Sequence, residues 1–341
     1  MNSAIHRRQF ALGAAALASA GLVSRPVRAA ETFKLRVSLD TAPTHMRNVS
    51  VADFLAKVEK ASGGRIKTEL FSAGALFKDS NVAKALVQGQ VEMACPGTWV
   101  LTGFIPDCDF VSLPMMFGLD LGIVRKVADG KTGASINAQL LKRLHVQVLG
   151  PWLELGTQNW YSATKPLNGY DDLKGMKIRN AGGAALAWRT RFFGAIPNTT
   201  SWPDVPLALS QGTFDGLITT NESCFSSKLW EAGVKSTFQD NQNINEYIPM
   251  LSQRFHASLP ADLQKLLIDT WAANIATYRD NMGKAQTHAL GELKAHKVAV
   301  KDAPEAEVTA IRKKMVAQQP QLVKELHMSA DLPKLMAADI G

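Results

Sequence analysis

The chain has 341 residues, 46% of them hydrophobic and 20% charged, with seven Trp and fourteen Phe. That content builds a large core, enough for two lobes, and excludes a disordered chain. The formal charge is +8, but Arg7, Arg8, Arg25 and Arg28 all precede the first acid, Glu31. The mildly basic remainder has no Lys/Arg block or aromatic-interleaved basic stripe. Nucleic-acid binding is therefore without support, and a modest positive field suits anionic ligands instead.

The N-terminus reads Arg7-Arg8-Gln9-Phe10, then an uncharged Ala/Leu/Gly run from Ala11 to Val23. The run has the length of a signal-peptide apolar region and falls short of the ~20 residues that cross a bilayer. Val27 and Ala29 supply a small-x-small site, so residues 1–29 are expected to be a signal peptide cleaved after Ala29 or Ala30, with the mature protein in the periplasm. The paired arginines followed by Phe10 and Leu12 resemble a twin-arginine export signal, although an ordinary secretory signal also begins with basic residues.

Phe33 to Leu39 alternates as a strand, Asp40 to His45 reads as a loop, and Val51, Phe54, Leu55 and Val58 recur at helical spacing up to Gly63-Gly64. Arg65 to Phe71 is strand-like again, a short helix follows near Asn81 to Gln88, and Val91 to Cys95 returns as a strand. A second set begins near Gly156, with strands at Asn159 to Ala163, Met176 to Arg179 and Phe214 to Thr219 and a helix at Ala185 to Phe193. The repetition predicts an α/β protein of two similar lobes, joined by short crossing segments because no low-complexity linker separates them. From Pro260 onward the pattern is helical, with Leu263, Leu266, Leu267, Thr270 and Trp271 on one stripe, and the tail beyond Asp302 is helical too. The expected lobes are 30–155 with about 246–285, and 156–245 with about 286–341.

Cys95, Cys108 and Cys224 make an odd count, best read as three buried thiols. No CxxC, HExxH or His pair at i, i+4 is present, so zinc spacing is absent and no cofactor is expected, while a carbonyl- and carboxylate-bound cation needs no such motif. Nucleophilic and nucleotide chemistry likewise lack a starting motif, since GxSxG, a P-loop and GxGxxG after a strand are all missing. Arg179 ends an apolar strand before the glycine turn Gly182-Gly183, and in open α/β sheets ligands sit at that strand end. A guanidinium fork matches a carboxylate in two parallel hydrogen bonds, and the next helix N-terminus favours an anion. The competing reading is a structural ion pair.

Six motifs occur in order: Gly63 to Leu76 (GGRIKTELFSAGAL), Leu113 to Phe117 (LPMMF), Lys174 to Arg179 (KGMKIR), Phe193 to Pro197 (FGAIP), Leu207 to Gly212 (LALSQG) and Phe214 to Gly216 (FDG). Together they resemble the DctP-type solute receptors of TRAP transporters across nearly all of the mature chain. The resemblance implies a two-lobed periplasmic-binding-protein-like α/β fold with a hinged cleft and a long helix spanning both lobes. It also implies a non-enzymatic receptor that delivers a small organic anion to the membrane subunits of a sodium-driven TRAP permease. In that family the arginine matching Arg179 grips the ligand carboxylate.

The family's frequent second arginine is replaced here by Gln158, which points to a monocarboxylate. Thr219 and Asn221 stand near the usual amide position. Trp202 and Trp99 are candidate walls for a flat or apolar ligand body, with core packing as the alternative. Asp40 and Thr98 match positions that face the cleft in relatives, Asp40 being equally readable as a turn cap. The rivals to a transport receptor are an exported enzyme acting on an organic acid and a periplasmic sensor module.

Overall fold

The computed structural model describes residues 31–341; the expected signal peptide lies outside them. In chain order, β1 (Phe33–Ser38), α1 (Met46–Ala61), β2 (Ile66–Phe71), α2 (Asp79–Val87), β3 (Met93–Ala94), α3 (Thr98–Leu101), α4 (Leu121–Asp129), α5 (Lys131–Leu144) and β4 (Val146–Val148) build the first half. Then come β5 (Leu153–Ser162), β6 (Lys177–Asn180), α6 (Ala184–Phe192), β7 (Ile196–Thr199), α7 (Val205–Ser210), β8 (Gly216–Thr220), α8 (Asn221–Ser226) and β9 (Ser236–Tyr247). The chain ends with β10 (Met250–Ser252), α9 (Gln253–Ser258), α10 (Ala261–Ala295), β11 (Ala299–Asp302), α11 (Glu305–Val316), α12 (Gln319–Glu325) and α13 (Leu332–Ile340).

Two sheets result, ordered β2-β1-β3-β10-β4 and β11-β9-β5-β8-β6-β7. The β-α-β pattern read from the sequence gives the parallel pairs β1 with β2 and β3, and β6 with β7 and β8. The sequence reading missed that β10 returns antiparallel between β3 and β4, and β9 antiparallel beside β5. Short segments cross from one sheet to the other, from β4 into β5 and from β9 into β10. The third crossing is α10, 35 residues and therefore about 52 Å long. Leu263, Leu267 and Trp271 near its start pack in the first core with Phe54 of α1, and Leu293 packs in the second core with Leu217 and Phe214. No helix among the described residues is long and apolar enough to cross a membrane.

The glycine at Gly156 has a local reason. Its φ is +103°, and a Cβ there would lie 2.3 Å from Gln286 Nε2, which donates to the Leu155 carbonyl at 2.8 Å. Gly156 thus lets α10 bind directly to the bulged strand β5.

One expectation is corrected by the tail. Residues 286–341 were assigned to the second lobe, yet Leu322, Val323, Leu332 and Met336 pack with Val124, Val127, Ile136 and Leu140 of the first. Asp339 caps the start of α5, accepting from the Lys131 and Thr132 amides at 3.0 and 2.8 Å. The helical period marks an apolar stripe but not which core receives it. Cys95, Cys108 and Cys224 are free and buried, as expected.

Where β5 and β9 pair near the crossing, Glu154 and Glu246 are direct neighbours. Arg125 holds Glu154 at 2.6 and 2.9 Å, whereas both oxygens of the fully buried Glu246 lack a hydrogen-bond partner among the described residues. Burial first, and the Glu154 charge second, push the Glu246 carboxyl well above the ordinary carboxylate range. Because the folded value exceeds the unfolded one, stability is greatest below the ordinary range and declines as pH rises through the folded value. Glu246→Gln should remove that decline. In melting experiments at pH 5 and pH 8, the variant's advantage over the parent should grow with pH; an advantage independent of pH would contradict a buried neutral Glu246.

Candidate functional site

Between the sheets lies a cavity of about 70 Å³, walled from one side by Asp40, Asp79 and Trp99 and from the other by Gln158, Arg179, Trp202 and Thr219. Arg179 reaches it because β6 sits inside the second sheet, with Arg179 in register with Asn198 of β7 and Leu217 of β8.

Arg179 is 3% exposed. Its Nε donates to the Thr200 carbonyl at 2.9 Å, and the guanidinium carbon stands 5.3 Å from the centre of the Trp202 ring. These two contacts hold the fork while its terminal nitrogens make no hydrogen bond to the described residues. Elsewhere buried arginines are engaged: Arg279 pairs with Asp129 at 2.6 Å, and Arg189 donates to the Ser112 carbonyl at 2.6 Å and Asn243 at 2.7 Å. Burial lowers Arg179 to about 10, against opposing contributions from Asp40 and Tyr247, so it stays charged at neutral pH. A buried, oriented cation with free donors is matched by an anionic group with two coplanar oxygens.

Gln158 of β5 is 2% exposed, and its Oε1 has no partner. Trp99 packs on Tyr247 with ring centres 5.4 Å apart and folds over Gly97, where a Cβ would stand 2.2 Å from the indole. Arg47 is buried beneath this wall, donating to Asp40, to Asp79 at 2.8 Å and to the Cys95 carbonyl at 3.0 Å, with its guanidinium 4.1 Å from the Tyr247 ring centre. Asp40 is therefore an ion-pair partner of Arg47, which explains how an acid stands in a site fit for an anion.

Two candidates fall away from the cavity wall. Thr98 is fully buried at the start of α3. Asn221 is engaged behind the wall with Tyr161 and Gln239. The N-terminus of α6 is not free for an anion either, because the Asp109 carboxylate accepts from the Ala185 amide at 2.8 Å. Burial raises that carboxyl to about 6. The sequence reading missed Tyr247, Asp79 and Ser223, which also line the cavity. Asp79 carries only the signal of a first-turn acid, and Tyr247 and Ser223 carry none.

The lobes are shut over the cavity. Lys78 pairs with Asp204 at 2.6 Å on one side of the mouth. On the other, Glu222 accepts from the Met46 amide at 2.9 Å and stands 2.8 Å from His45 Nε2, itself 3.0 Å from Ser223 Oγ. Serine, histidine and acid thus meet, but not as a nucleophile and its base. His45 Nδ1 accepts from the Arg47 amide at 3.1 Å, so the neutral ring carries its proton on Nε2 and cannot take one from Ser223. The arrangement supports enclosure of an anion and provides no hydrolytic relay.

Residues 38–325 match the family model DctP, described as bacterial extracellular solute-binding protein, family 7. The chain is 27% identical over 245 residues to the C4-dicarboxylate-binding periplasmic protein DctP of Rhodobacter capsulatus, covering 69% of each. It is 25% identical over 279 residues to a solute-binding protein of Verminephrobacter eiseniae, covering 80% of this chain and 81% of that one. In three dimensions it is similar to the sugar acid binding protein DctPAm of Advenella mimigardefordensis, solved with galactonate, at a TM-score of 0.85 and 22% identity over 91% of this chain and 98% of that chain. A Bordetella pertussis extracytoplasmic solute receptor binding pyroglutamic acid, DctP7, gives 0.82 and 21% over 91% of this chain and 100% of that chain. These structures share the two-lobed fold.

Proposed function

The chain belongs to the DctP family, the bacterial extracellular solute-binding proteins of family 7, and we propose that it captures a small organic monocarboxylate in the periplasm and delivers it to the membrane subunits of a TRAP transporter. Residues 1–29 act as its twin-arginine signal peptide. The observation that carries this reading is Arg179, buried, charged and oriented, with its free donors in a closed cleft. Relatives that bind galactonate, pyroglutamic acid and C4-dicarboxylates support the choice of acids.

The acid enters the open cleft and meets Arg179, and contacts from the Asp40 and Trp99 side then stabilise closure. The ligand-site residues are Arg179, Gln158, Thr219, Trp202, Trp99 and Asp40; Thr98 and Asn221 support them from behind. A charged hydrogen bond nets about 1.5–3 kcal/mol, whereas micromolar binding needs about 8 kcal/mol, so the Trp202 and Trp99 walls must supply much of the affinity. The shut form is what a permease would distinguish from the open one.

Gln158 supports a single carboxylate, since no second free arginine joins Arg179 among the lining residues. Calorimetric titration with matched acids, propionate against succinate and benzoate against phthalate, tests this. The single acid of a binding pair should bind at least tenfold tighter, and tighter binding of the diacid would overturn the monocarboxylate assignment.

A further inference from the structure

One group on the cavity wall has no role in gripping a carboxylate. Asp79, the first residue of α2, is 3% exposed. Its Oδ2 accepts from Arg47 at 2.8 Å, and its buried Oδ1 has no partner among the described residues. Arg47 also serves Asp40, so a single arginine stands between two buried acids. With both acids ionised, Asp40 and Asp79 cancel Arg47 and Arg179. The cavity would then be neutral, and an arriving anion would leave it with an uncompensated negative charge, a costly state away from water. One proton on the acid pair removes that excess.

We propose that Asp79 is a charge-matching residue of the ligand site: it holds one proton, so that the closed cavity presents a single net positive charge and encloses its monoanion together with that proton. The inference rests on the receptor reading above.

The surroundings agree. Burial, more than any other cause, raises the Asp79 carboxyl to about 7, with Arg47 opposing and Asp40 assisting. Other titratable and charged groups face the pair from every neighbouring element. Arg47 from α1 and Arg179 from β6 are cations there. The Cys95 thiol after β3 is pushed up to about 12, and the Tyr247 hydroxyl at the end of β9 is raised well above its ordinary value. His45 and Glu222, which pair with each other, face Tyr247, and Lys78 is held by Asp204. A bound carboxylate raises Asp79 further, so the linkage has a definite sign. Below about pH 7 the proton is already present and affinity is level. Above it, binding takes up a proton and affinity falls roughly tenfold per pH unit.

The test is calorimetric titration with L-lactate, L-pyroglutamate and benzoate at pH 6 and pH 8.5, each in two buffers of different ionisation enthalpy. The parent protein should take up close to one proton per anion at pH 8.5 and almost none at pH 6, binding at least tenfold more weakly at the higher pH. Asp79→Asn, which mimics the protonated acid, should bind alike at both and exchange no proton. Asp40→Asn should flatten the profile too, and serves if Asp79→Asn does not fold. An unchanged pH profile in these variants, or no proton uptake by the parent, would overturn the proposal. Should none of the acids bind, the receptor reading fails, and denaturation decides the Asp79 proton separately. Relative to Asp79→Asn, the parent must lose stability as pH rises from about 5 to 8, and parallel curves would rule it out.

Discussion

Arg179→Ala weakens binding of a carboxylate ligand thirtyfold or more while the protein stays folded: this is the largest functional effect expected of a single substitution here. The side chain makes one hydrogen bond to protein, to the Thr200 carbonyl, and its remaining donors serve no other described residue. Truncation therefore costs the fold little but leaves the ligand's charge enclosed in a shut cavity with no partner. Losing one side of a buried, hydrogen-bonded charge pair costs about 2–5 kcal/mol, or roughly thirtyfold to several thousandfold in affinity. Calorimetry with the acid that binds the parent best reads the loss, and circular dichroism checks the fold. Affinity within a few fold of the parent would mean that the carboxylate is held elsewhere.

Arg47→Met has the opposite profile. Arg47 is 1% exposed and serves Asp40, Asp79, Thr41 and the Cys95 carbonyl at once. Methionine replaces the stem but leaves two acids buried without their common cation. Removing one member of a buried ion pair destabilises by about 3–5 kcal/mol, and for a chain of this size a melting point lower by roughly 5–8 °C follows. Thermal unfolding at neutral pH measures it. The loss should shrink as pH falls and the acids take up protons; a variant as stable as the parent at neutral pH would contradict the role of Arg47 as their counter-charge.

The two arginines show how far the sequence could be read. Arg179 was legible because three signals coincide on it: an apolar strand, a glycine turn and a family motif. Arg47 was not, because its position early in α1 makes it look like an ordinary helical surface residue. Only the return of β10 beside β3, with Tyr247 closing over the site, buries it. The α/β lobes followed from local periodicity, and the long helix spanning both from the family resemblance. The antiparallel return of β9 and the docking of α12 and α13 on the first core depend on contacts between residues far apart in sequence, which periodicity does not encode. For the same reason Asp79 reads as a helix-start acid, although its position in the fold makes it part of the cavity wall.

The most direct test of the central claim is a thermal-shift screen of the protein, freed of bound solute, against mono- and dicarboxylates, aliphatic and aromatic, with Arg179→Ala alongside. An acid at about a hundredfold over its dissociation constant adds about 2.7 kcal/mol to the folded state, and for a chain of this size the melting point should rise by roughly 4 °C. The account predicts such a rise for one class of small monocarboxylate and its disappearance in Arg179→Ala. No rise with any acid in a folded, solute-free protein, or an equal rise in the variant, would contradict it.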